Sequence, residues 1–507
     1  MPKKNGLILS IDVGTSRCKA ALFKTNGEPA GFASTSYSIK FSQNGRVEAD
    51  AVEDWWKPTI RNIKELIKKT KGAPSNIIAV GVSCTNGIVP VNDEGKPVGN
   101  AIMQFDKRTT ELVGFYSKKL NDEELFEITG NRLAAGSYAL PTIVWLKENA
   151  KDVYKKAASF LYPSGYIASN LTGKFSIDYT RAATTLFYDM QKKIWSTELL
   201  NFFSVKPEKL PPIFSSSDVI GTVTKSASKE TGLPEGIPVV AGAMDTYSAV
   251  VGLDKIKHND TSLILGTVAR LCKTVMTRGV LKSDFTNIEC GPKKFLSIAC
   301  MDGIGTSYNW FNDAVGSKSG AGGTSSDVTS LDPCSGGLIY LPYLVGERSP
   351  IWDPYVKGVL FGIEPGHRRE HIYRAIIEGC GFAVRSNIEI MSSEAGLETG
   401  NLIVPETGFG NYPEWLQTIS DITGCEINTV KIEDPECTGT AALAAIGAGE
   451  AKDTSSFVKR SAKSGKKYKP SKERKKAYDS YFIIYNKLYT DLKGDFRILK
   501  EIRNSLR

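Results

Sequence analysis

The chain has 507 residues, which is too long for one hydrophobic core and favours two large domains. With 41% hydrophobic and 23% charged residues it has the composition of a soluble globular protein, and no apolar run approaches the ~20 residues of a transmembrane helix. The net charge of +9 belongs to the C-terminal end, since residues 451–507 contain 17 Lys and Arg against 6 Asp and Glu. This excess of positive charge predicts a solvated helical surface. The sequence has no aromatic or base-reading motif that would favour nucleic-acid binding.

Targeting and redox signals favour a cytoplasmic protein. Asp12 interrupts the N-terminal apolar run too early for a signal peptide. The nine cysteines form no CxxC pair and are predicted to be reduced and mostly structural. Three histidines are too few for a His-based metal centre.

The N-terminal stretch 8–23, ILSIDVGTSRCKAALF, predicts two buried strands joined by the small-residue turn Gly14-Thr15-Ser16. Free backbone N–H groups and two hydroxyls in such a turn suit a phosphate. Asp12 stands at the strand end beside it, where a carboxylate can hold Mg²⁺ or its water shell. An ordinary hairpin has the same pattern, and the spacing alone does not separate the two interpretations.

The next segments alternate helical and strand patterns. Apolar residues recur at helical spacing within 47–69, and the β-rich run 77–82 leads into Ser83-Cys84-Thr85-Asn86-Gly87. In AIMQFDKRTTE, Asp106 and Arg108 stand two apart and project to the same side of a strand. The pair suits either a polyhydroxylated ligand or an ordinary charge pair on the surface.

Residues 122–156 are predicted to be helical with interruptions near Gly136 and Pro141, and residues 194–203 to form a further helix. The segment 237–253 predicts a buried strand, a small-residue turn and a helix start, with Asp245 alone among apolar and small residues. Burying such a carboxylate unpaired is costly, so Asp245 is either functional or the N-cap of the following helix.

The second half begins with another strand–turn–strand pattern around Gly266-Thr267. A Gly- and Ser-rich mobile surface loop is predicted at 317–326, and helices at 370–390 and 437–449. Between these helices, the strand predicted at 402–410 runs into the turn Thr407-Gly408-Phe409-Gly410-Asn411. Alternating strands and helices indicate α/β domains, and neither a Walker A pattern nor a GxGxxG after a strand occurs.

Four blocks, occurring in this order, resemble the FGGY carbohydrate kinases from residue 7 to about residue 449. They are DVGTSRCK (12–19), GAMDTYSAVVG (242–252), KGVLFGIEPGHRREHIYRAIIEG (357–379, preceded by YLVGERSP) and TGFGNYPEW (407–415). The resemblance, xylulokinase-like and gluconokinase-like, implies an α/β fold of two actin-like (ribonuclease H-like) ATPase domains with a cleft between them. Residues 1–254 would form the N-terminal, sugar-binding domain with the first phosphate loop, and residues 255–507 the C-terminal, ATP-binding domain with the basic helical end.

The resemblance also implies roles for individual residues. Asp245 would be the catalytic base, and Asp12 with Asp245 would hold Mg²⁺. The sugar would contact Asn86, Asp106, Arg108, Tyr138, Asp245 and Thr246. The nucleotide would contact Gly14, Thr15, Ser16, Lys19, Gly266, Thr267, Gly408, Gly410 and Asn411.

The function expected from the resemblance is ATP-dependent phosphorylation of a small sugar, first a pentulose such as xylulose, and second gluconate or another polyol. The chain departs from the family pattern at several points: it has Asn86-Gly87, QFDKR for W-x-D-x-R, GTV for GTS and TGFG for GGG. The altered GTV and TGFG loops motivate a rival, a sugar- or nucleotide-binding regulator that has lost catalysis. Neither a nucleic acid nor a membrane is expected as a partner, and the resemblance is compatible with a homodimer.

Overall fold

The structure is a computed structural model and describes residues 6–42, 45–69, 74–315, 328, 331–393 and 397–505. The predicted surface loop at 317–326 lies outside the described residues. The chain forms two compact units. The first comprises the chain up to Ile256 with Met276–Leu296 and Glu433–Ala462, and the second comprises Lys257–Val275, Ser297–Ile432 and the chain from Lys463 onward. The division at residue 254 predicted from the family resemblance stays a prediction about functional domains.

Strands and helices alternate along the chain, as the α/β class requires. The strands are β1 (Leu7–Val13), β2 (Arg17–Lys24), β3 (Pro29–Ser36), β4 (Lys40–Phe41), β5 (Val47–Ala49), β6 (Ile77–Cys84), β7 (Gly87–Val91), β8 (Ala101–Met103), β9 (Ser159–Leu161), β10 (Ile177–Asp178), β11 (Tyr188–Asp189), β12 (Ile194–Trp195), β13 (Ile213–Phe214), β14 (Val219–Thr222), β15 (Pro238–Val240), β16 (Ala243–Met244), β17 (Thr261–Leu265), β18 (Ala269–Val275), β19 (Thr286–Gly291), β20 (Lys294–Met301), β21 (Ile339–Leu341), β22 (Val359–Phe361), β23 (Asn401–Pro405), β24 (Glu426–Lys431) and β25 (Lys463–Tyr468).

The helices are α1 (Lys57–Lys69), α2 (Thr110–Tyr116), α3 (Asp122–Thr129), α4 (Ala139–Asn149), α5 (Lys151–Lys156), α6 (Pro163–Thr172), α7 (Tyr179–Ala183), α8 (Thr197–Phe202), α9 (Lys225–Thr231), α10 (Asp245–Gly252), α11 (Ile304–Ala314), α12 (Arg369–Met391), α13 (Pro413–Thr423), α14 (Pro435–Gly447), α15 (Thr454–Val458) and α16 (Lys472–Ser505). No helix in the described parts of the chain combines the length and the apolar character that crossing a membrane requires.

The main sheet of the first unit has the strand order β14-β15-β6-β1-β2-β3. The predicted N-terminal hairpin is confirmed, because β1 pairs antiparallel with β2, and β1 also pairs in parallel with β6. In this register Asp12 lies between Lys19 on one neighbouring strand and Ser83 on the other. β1 is buried throughout except at its first residue, so the strand that carries Asp12 is fixed inside the sheet.

The second unit contains the sheet segment β18-β17-β23-β24-β25. The second predicted strand–turn–strand pattern is confirmed, because β17 and β18 pair antiparallel with Leu265 opposite Ala269. The predicted strand before the turn at 407–411 is β23, which pairs in parallel with β24. Glycine turns therefore follow β1 in the first sheet and both β17 and β23 in the second.

Two local predictions are wrong at their boundaries. The helix predicted over 194–203 begins only at Thr197, because Ile194 and Trp195 pair with β11 and Ser196 caps the helix. Pro141 does not interrupt a helix, since it lies in the first turn of α4. A proline is tolerated there because the first N–H groups of a helix have no intrahelical acceptor.

The basic C-terminal end forms the 34-residue helix α16, and the prediction that it is only a solvated surface is wrong for one face. Tyr478, Phe482 and Tyr485 are buried in a hydrophobic cluster of the second unit. The Tyr478 hydroxyl donates to Glu378 Oε1 at 2.7 Å and accepts from Arg374 Nη2 at 2.6 Å. The helix is therefore part of the core of this unit.

Candidate functional site

Asp12 occupies the end of β1 and is held by a partner on each side. Its side chain is buried, with Oδ1 accepting a hydrogen bond from Ser83 Oγ at 2.8 Å and Oδ2 lying 3.0 Å from Lys19 Nζ. Burial raises the pKa of Asp12, and the charges of Glu436 and Asp245 raise it further, while Lys19 opposes them. The carboxylate therefore belongs to a group of interacting charges in the first unit.

Lys19 is shared among three carboxylates. Besides Asp12, its ammonium lies 2.7 Å from Asp434 Oδ2 and 3.3 Å from Glu436 Oε2, at the start of α14. Burial would lower the pKa of Lys19, but the three carboxylates raise it well above its usual value, so the side chain stays protonated. Sequence reasoning missed Asp434 and Glu436, and their only local signal is the acidic start of a small-residue helix.

The turn after β1 uses part of its hydrogen-bonding capacity within the fold. The Gly14 N–H donates to the Arg17 carbonyl at 2.9 Å. Thr15 Oγ1 lies 3.0 Å from Thr85 Oγ1 and accepts from Gln104 Nε2 at 2.9 Å, whereas Ser16 is exposed. Gln104, which replaces the tryptophan of the family pattern, thus binds the hydroxyl of the first predicted phosphate turn.

Asp245 is the first residue of α10. The N-cap position belongs to Met244, so the alternative in which Asp245 is the N-cap is wrong. Its Oδ1 accepts from the Thr246 N–H at 2.7 Å and from Thr246 Oγ1 at 3.2 Å, and its side chain is 15% exposed. Thr246 is buried and therefore orients the carboxylate from within the fold.

Asp106 and Arg108 form a closed charge network with Glu48. Asp106 is 2% exposed and accepts from the Val47 N–H at 2.7 Å and from Arg108 Nε at 2.8 Å. Arg108 Nη2 donates to Glu48 Oε1 at 2.6 Å, and its guanidinium lies 5.1 Å from the Trp145 ring centre. The prediction that the two residues share one side of a strand is wrong, because β8 ends at Met103. The side chains of Asp106 and Arg108 are 2% and 7% exposed, so the charge pair is buried rather than on the surface, and contact with a polyhydroxylated ligand stays a prediction.

Asn86 and Tyr138 make internal hydrogen bonds. Asn86 Nδ2 donates to the Ser137 carbonyl at 2.6 Å, one residue before Tyr138. Tyr138 is 2% exposed, and its hydroxyl lies 3.3 Å from both Asn131 Oδ1 and Thr286 Oγ1. The structure therefore places Asn86 at a half-buried position and Tyr138 inside the first unit.

In the second unit, the two predicted nucleotide loops lie against each other. The Gly305 N–H donates to the Thr267 carbonyl at 3.1 Å, so the start of α11 contacts the turn at Gly266 and Thr267. A Cβ on Gly408, whose φ is +53°, would lie 2.5 Å from the Leu265 carbonyl oxygen. Gly408 and Asn411 are exposed and Gly410 is buried, so the 408–411 turn presents its two ends to solvent and packs a residue between them.

Aromatic side chains adjoin this glycine turn, and sequence reasoning did not assign them to the site. The Phe409 ring stacks on Trp415 with centroids 4.9 Å apart and meets Tyr308 edge-on at 5.0 Å. The local signal was the aromatic residue within TGFG, where the family pattern has glycine. Aromatic faces at a nucleotide loop suit stacking against a base.

The described residues include no group of three or more His, Cys, Asp or Glu side chains arranged to hold a metal ion. Mg²⁺ needs less than that, because it keeps several waters and binds through one or two carboxylates plus substrate phosphates. Asp12 and Asp245 supply carboxylate oxygens that interact electrostatically in one unit. The residues therefore fit an ion that arrives with a nucleotide rather than one caged by protein alone.

Comparison with known families matches most of the chain. The FGGY family of carbohydrate kinases, N-terminal domain, matches residues 7–252, and the C-terminal domain of the same family matches residues 260–448. A xylulose kinase of Bacillus subtilis (strain 168) is 28% identical over 504 residues, covering 98% of this chain and 99% of its own length.

Two solved structures, both from Lactobacillus acidophilus, resemble the fold closely. A gluconate kinase has a TM-score of 0.89 at 23% identity, with 97% of this chain and 99% of that chain covered. A ligand-bound xylulose kinase has the same TM-score and identity, with 97% and 100% covered. At these identities the likeness concerns the fold, and it confirms the predicted α/β class with two actin-like domains.

Proposed function

The chain belongs to the FGGY family of carbohydrate kinases, and from this membership we propose that it transfers the γ-phosphate of ATP to a hydroxyl of a small sugar, first a pentulose such as xylulose. The observation that carries the proposal is the position of Asp245: a partly exposed carboxylate at the start of α10, oriented by Thr246, in the same unit as the buried Asp12. A carboxylate in that setting can accept a hydroxyl proton.

In the proposed reaction, the sugar oxygen forms a bond to the γ-phosphorus while the bond from that phosphorus to the ADP oxygen breaks. ADP leaves with the electron pair, and Asp245 takes the proton of the attacking hydroxyl. Most of the rate enhancement in such transfers comes from positioning and charge neutralisation. Asp245 aligns the hydroxyl and accepts its proton late in the transfer.

Asp12 and Asp245 would hold Mg²⁺ through carboxylate oxygens or through its water shell. When bound, the ion would neutralise charge on the transferring phosphates. Lys19, kept protonated by its three carboxylates, would add a positive charge beside the turn Gly14-Thr15-Ser16. These residues of the first unit would contact the phosphates and the sugar. The sugar would also contact Asn86, Asp106, Arg108 and Tyr138.

The second unit would bind the nucleotide. Gly266 and Thr267 would contact phosphates through backbone N–H groups, and Gly408, Gly410 and Asn411 would face the adenosine. Support comes from the packing of the two loops within that unit, where a side chain on Gly408 would strike the Leu265 carbonyl.

The cytoplasmic location and the homodimer expected from the sequence stay predictions.

The sugar is chosen by resemblance rather than by a contact in the site. The relative from Bacillus subtilis is named xylulose kinase and covers nearly the whole chain, which supports a pentulose. Gluconate or another polyol is the second candidate, since the gluconate kinase structure shares the fold. Asn86-Gly87 differs from the family signatures for xylulose and for glycerol, so the panel that tests the proposal must be broad.

We would measure ADP release with Mg²⁺ and ATP against xylulose (both enantiomers), ribulose, gluconate, glycerol, erythritol and fuculose. Sugar-dependent ADP release and a phosphorylated product identify the substrate. ADP release that no sugar raises above the hydrolysis background would contradict the proposal for this panel. Thermal stabilisation by the same sugars then separates a non-catalytic regulator, which binds without turnover, from a kinase for another sugar.

The variant Asp245→Asn tests the assignment of the base. It should reduce turnover by at least ~10²-fold while leaving sugar binding intact, since general-base catalysis contributes about 10²–10⁴-fold. Asp152→Asn, which changes an exposed carboxylate in the same unit, serves as the matched control and should keep full turnover. Sugar-dependent turnover that Asp245→Asn leaves unchanged would contradict the assignment of Asp245 as the base, whereas sugar binding without turnover in both proteins would favour the regulator.

A further inference from the structure

Arg181 is a buried cation that neither the composition nor any motif pointed to. It lies on the short helix α7 in the first unit, and its side chain is 1% exposed. Arginine is almost never fully buried unless it is paired, because removing the charge from water is costly. The groups that contact the guanidinium should therefore indicate the role of this buried charge.

The guanidinium contacts three groups of the first unit. Nη2 donates to the Cys84 carbonyl at the end of β6 and lies 3.7 Å from Asp245 Oδ1. The Tyr162 ring centre lies 5.1 Å from the guanidinium carbon. Nε and Nη1 are buried and have no hydrogen-bond partner in the structure.

A second carboxylate near α7 has another task. Asp178 Oδ1 accepts from the backbone N–H groups of Thr180 and Arg181, which makes Asp178 the N-cap of the helix. Asp245 instead meets the Arg181 side chain directly. Arg181 also interacts electrostatically with Asp178, but its ion-pair contact is with Asp245, the carboxylate that is proposed as the base.

We propose that Arg181 is a positioning residue that holds the Asp245 carboxylate in its reactive orientation. The inference rests on the proposed function and adds to it a residue that does not itself contact the substrate. Thr246 donates to Asp245 Oδ1 from the helix, and Arg181 attracts the same oxygen from α7, so two groups on different elements act on one carboxylate oxygen.

The charges of the two carboxylates explain why a cation is needed. Asp12 and Asp245 are both carboxylates of the first unit, and the bound phosphates would add further negative charge. Lys19 Nζ lies 3.0 Å from Asp12 Oδ2, and the buried Arg181 places Nη2 3.7 Å from Asp245 Oδ1, so each carboxylate has a cation beside it. Without Arg181, Asp245 would lose the attraction that this cation exerts on Oδ1, and the carboxylate would be held less firmly in its reactive orientation.

Arg181→Met, which keeps the length of the stem but removes the charge, is the first variant to measure. With the best sugar of the panel we expect kcat to fall by about 10²-fold, the cost of misplacing a reactive group by ~1 Å, with KM for the sugar and for ATP unchanged. Arg181→Lys should recover part of kcat, because it restores the charge without the planar geometry.

Lys147→Met is the matched control. Lys147 lies in the same unit and donates to the Phe203 carbonyl at 2.8 Å, so the variant also removes a hydrogen-bonded cation but leaves Asp245 untouched. It should keep the wild-type kcat. A loss of kcat in this control equal to that in Arg181→Met would overturn the inference, because the effect would then be general destabilisation.

The variants should also be combined with Asp245→Asn. If Arg181 acts through Asp245, Arg181→Met should cost little further activity once the base is gone, whereas independent effects would multiply and overturn the proposal. A raised KM with unchanged kcat would likewise overturn it, since it would make Arg181 a substrate contact. If Arg181→Met does not fold, Arg181→Lys is the deciding variant. It removes the planar guanidinium, so wild-type values of kcat and KM in this variant would contradict positioning of Asp245 by the guanidinium.

The inference and the proposed function fail differently. A wild-type protein that phosphorylates no sugar removes the proposed function, and the positioning role falls with it. A wild-type kinase whose kcat is the same in Arg181→Met leaves the proposed function intact and removes only the role of Arg181.

Discussion

At the scale of single residues, Lys273 carries an ionisable group into the interior of the second unit. Its side chain is buried on β18, and Nζ donates to Thr399 Oγ1 at 2.8 Å and to the Leu397 carbonyl. Burial lowers the pKa of Lys273 to about 8. Two neutral acceptors therefore compensate only part of the cost of burying an ammonium.

This pKa predicts a pH dependence of stability. The unfolded chain holds the proton up to about pH 10.5 but the folded chain only to about 8, so the cost of burying the charge is complete below pH 8 and disappears as the pH rises through 10.5. The free energy of unfolding of the wild type, relative to Lys273→Met, should therefore rise between pH 8 and 10.5. Urea denaturation of both proteins at pH 7, 8, 9 and 10 measures the difference.

Lys273→Arg is the control for this prediction. Arginine stays charged over the whole range, so its stability relative to Lys273→Met should not rise with pH. A wild type whose difference from Lys273→Met is flat between pH 8 and 10 would contradict the lowered pKa.

Residues whose roles follow from adjacent sequence could be predicted, and residues paired across the chain could not. Asp12 and Gly14 were identified because an apolar run, a carboxylate and a glycine turn are consecutive. Two of the three carboxylate partners of Lys19 stand 415 and 417 positions away, so only the tertiary structure brings them together. Arg181 had no local signal at all, because a single arginine in a polar segment predicts a solvated side chain.

At the scale of elements, the start of α14 combines two tasks in one side chain. Asp434 is the N-cap, with Oδ1 accepting from the Cys437 N–H at 2.7 Å, while Oδ2 pairs with Lys19. This helix packs in the first unit against α10, which begins with the predicted base, and against β1 of the predicted phosphate hairpin.

The two tasks can be separated by substitution. Asp434→Ala removes both cap and charge and should lower the free energy of unfolding by about 0.5–2 kcal/mol, the usual cost of losing an N-cap. Asp434→Asn keeps a cap oxygen and should cost clearly less, because Lys19 retains Asp12 and Glu436. Urea denaturation compares the two.

Glu436→Gln provides the matched control, because it removes a carboxylate from Lys19 without touching the cap. It should resemble Asp434→Asn. If Asp434→Asn proves as destabilising as Asp434→Ala, then the ion pair between Asp434 and Lys19, and not the N-cap hydrogen bond, stabilises the start of α14.

Whole strands and helices were predicted well where one periodicity ran without interruption, as in α12 or in the hairpin β1–β2. The prediction failed at Ile194 and Trp195, which satisfy a helical pattern but pair with β11. Tertiary pairing overrides local propensity there. The apolar stripe of α16 was not predicted, because its apolar residues are interspersed with many lysines and arginines.

At the scale of the molecule, the basic excess of the chain is carried by an element that the second unit needs for its core. α16 buries Tyr478, Phe482, Tyr485, Leu488 and Phe496, while Lys487 and Lys493 remain exposed. One face of α16 stabilises the second unit by burying apolar side chains, and the charged side chains keep the rest of the helix solvated. Nucleic-acid binding is therefore not required to explain them.

Truncation tests this assignment. A chain ending at Ser471 leaves the buried pair of Arg374 and Glu378 without Tyr478 and opens the aromatic cluster to water. Breaking into such a buried network typically costs about 3–5 kcal/mol, and the lost apolar burial adds to it, so the second unit should not fold stably. Limited proteolysis and urea denaturation should show rapid cleavage and a lost transition in this unit.

A chain ending at Arg497 is the matched control. It keeps Phe496 and every buried side chain of the cluster, and it removes the exposed residues Ile498, Leu499 and Ile502. We expect its unfolding midpoint to match that of the full chain, since exposed side chains at a helix end contribute little. If both truncated chains unfold like the full chain, the packed face of α16 does not stabilise the unit, and a role for its basic face must be sought instead.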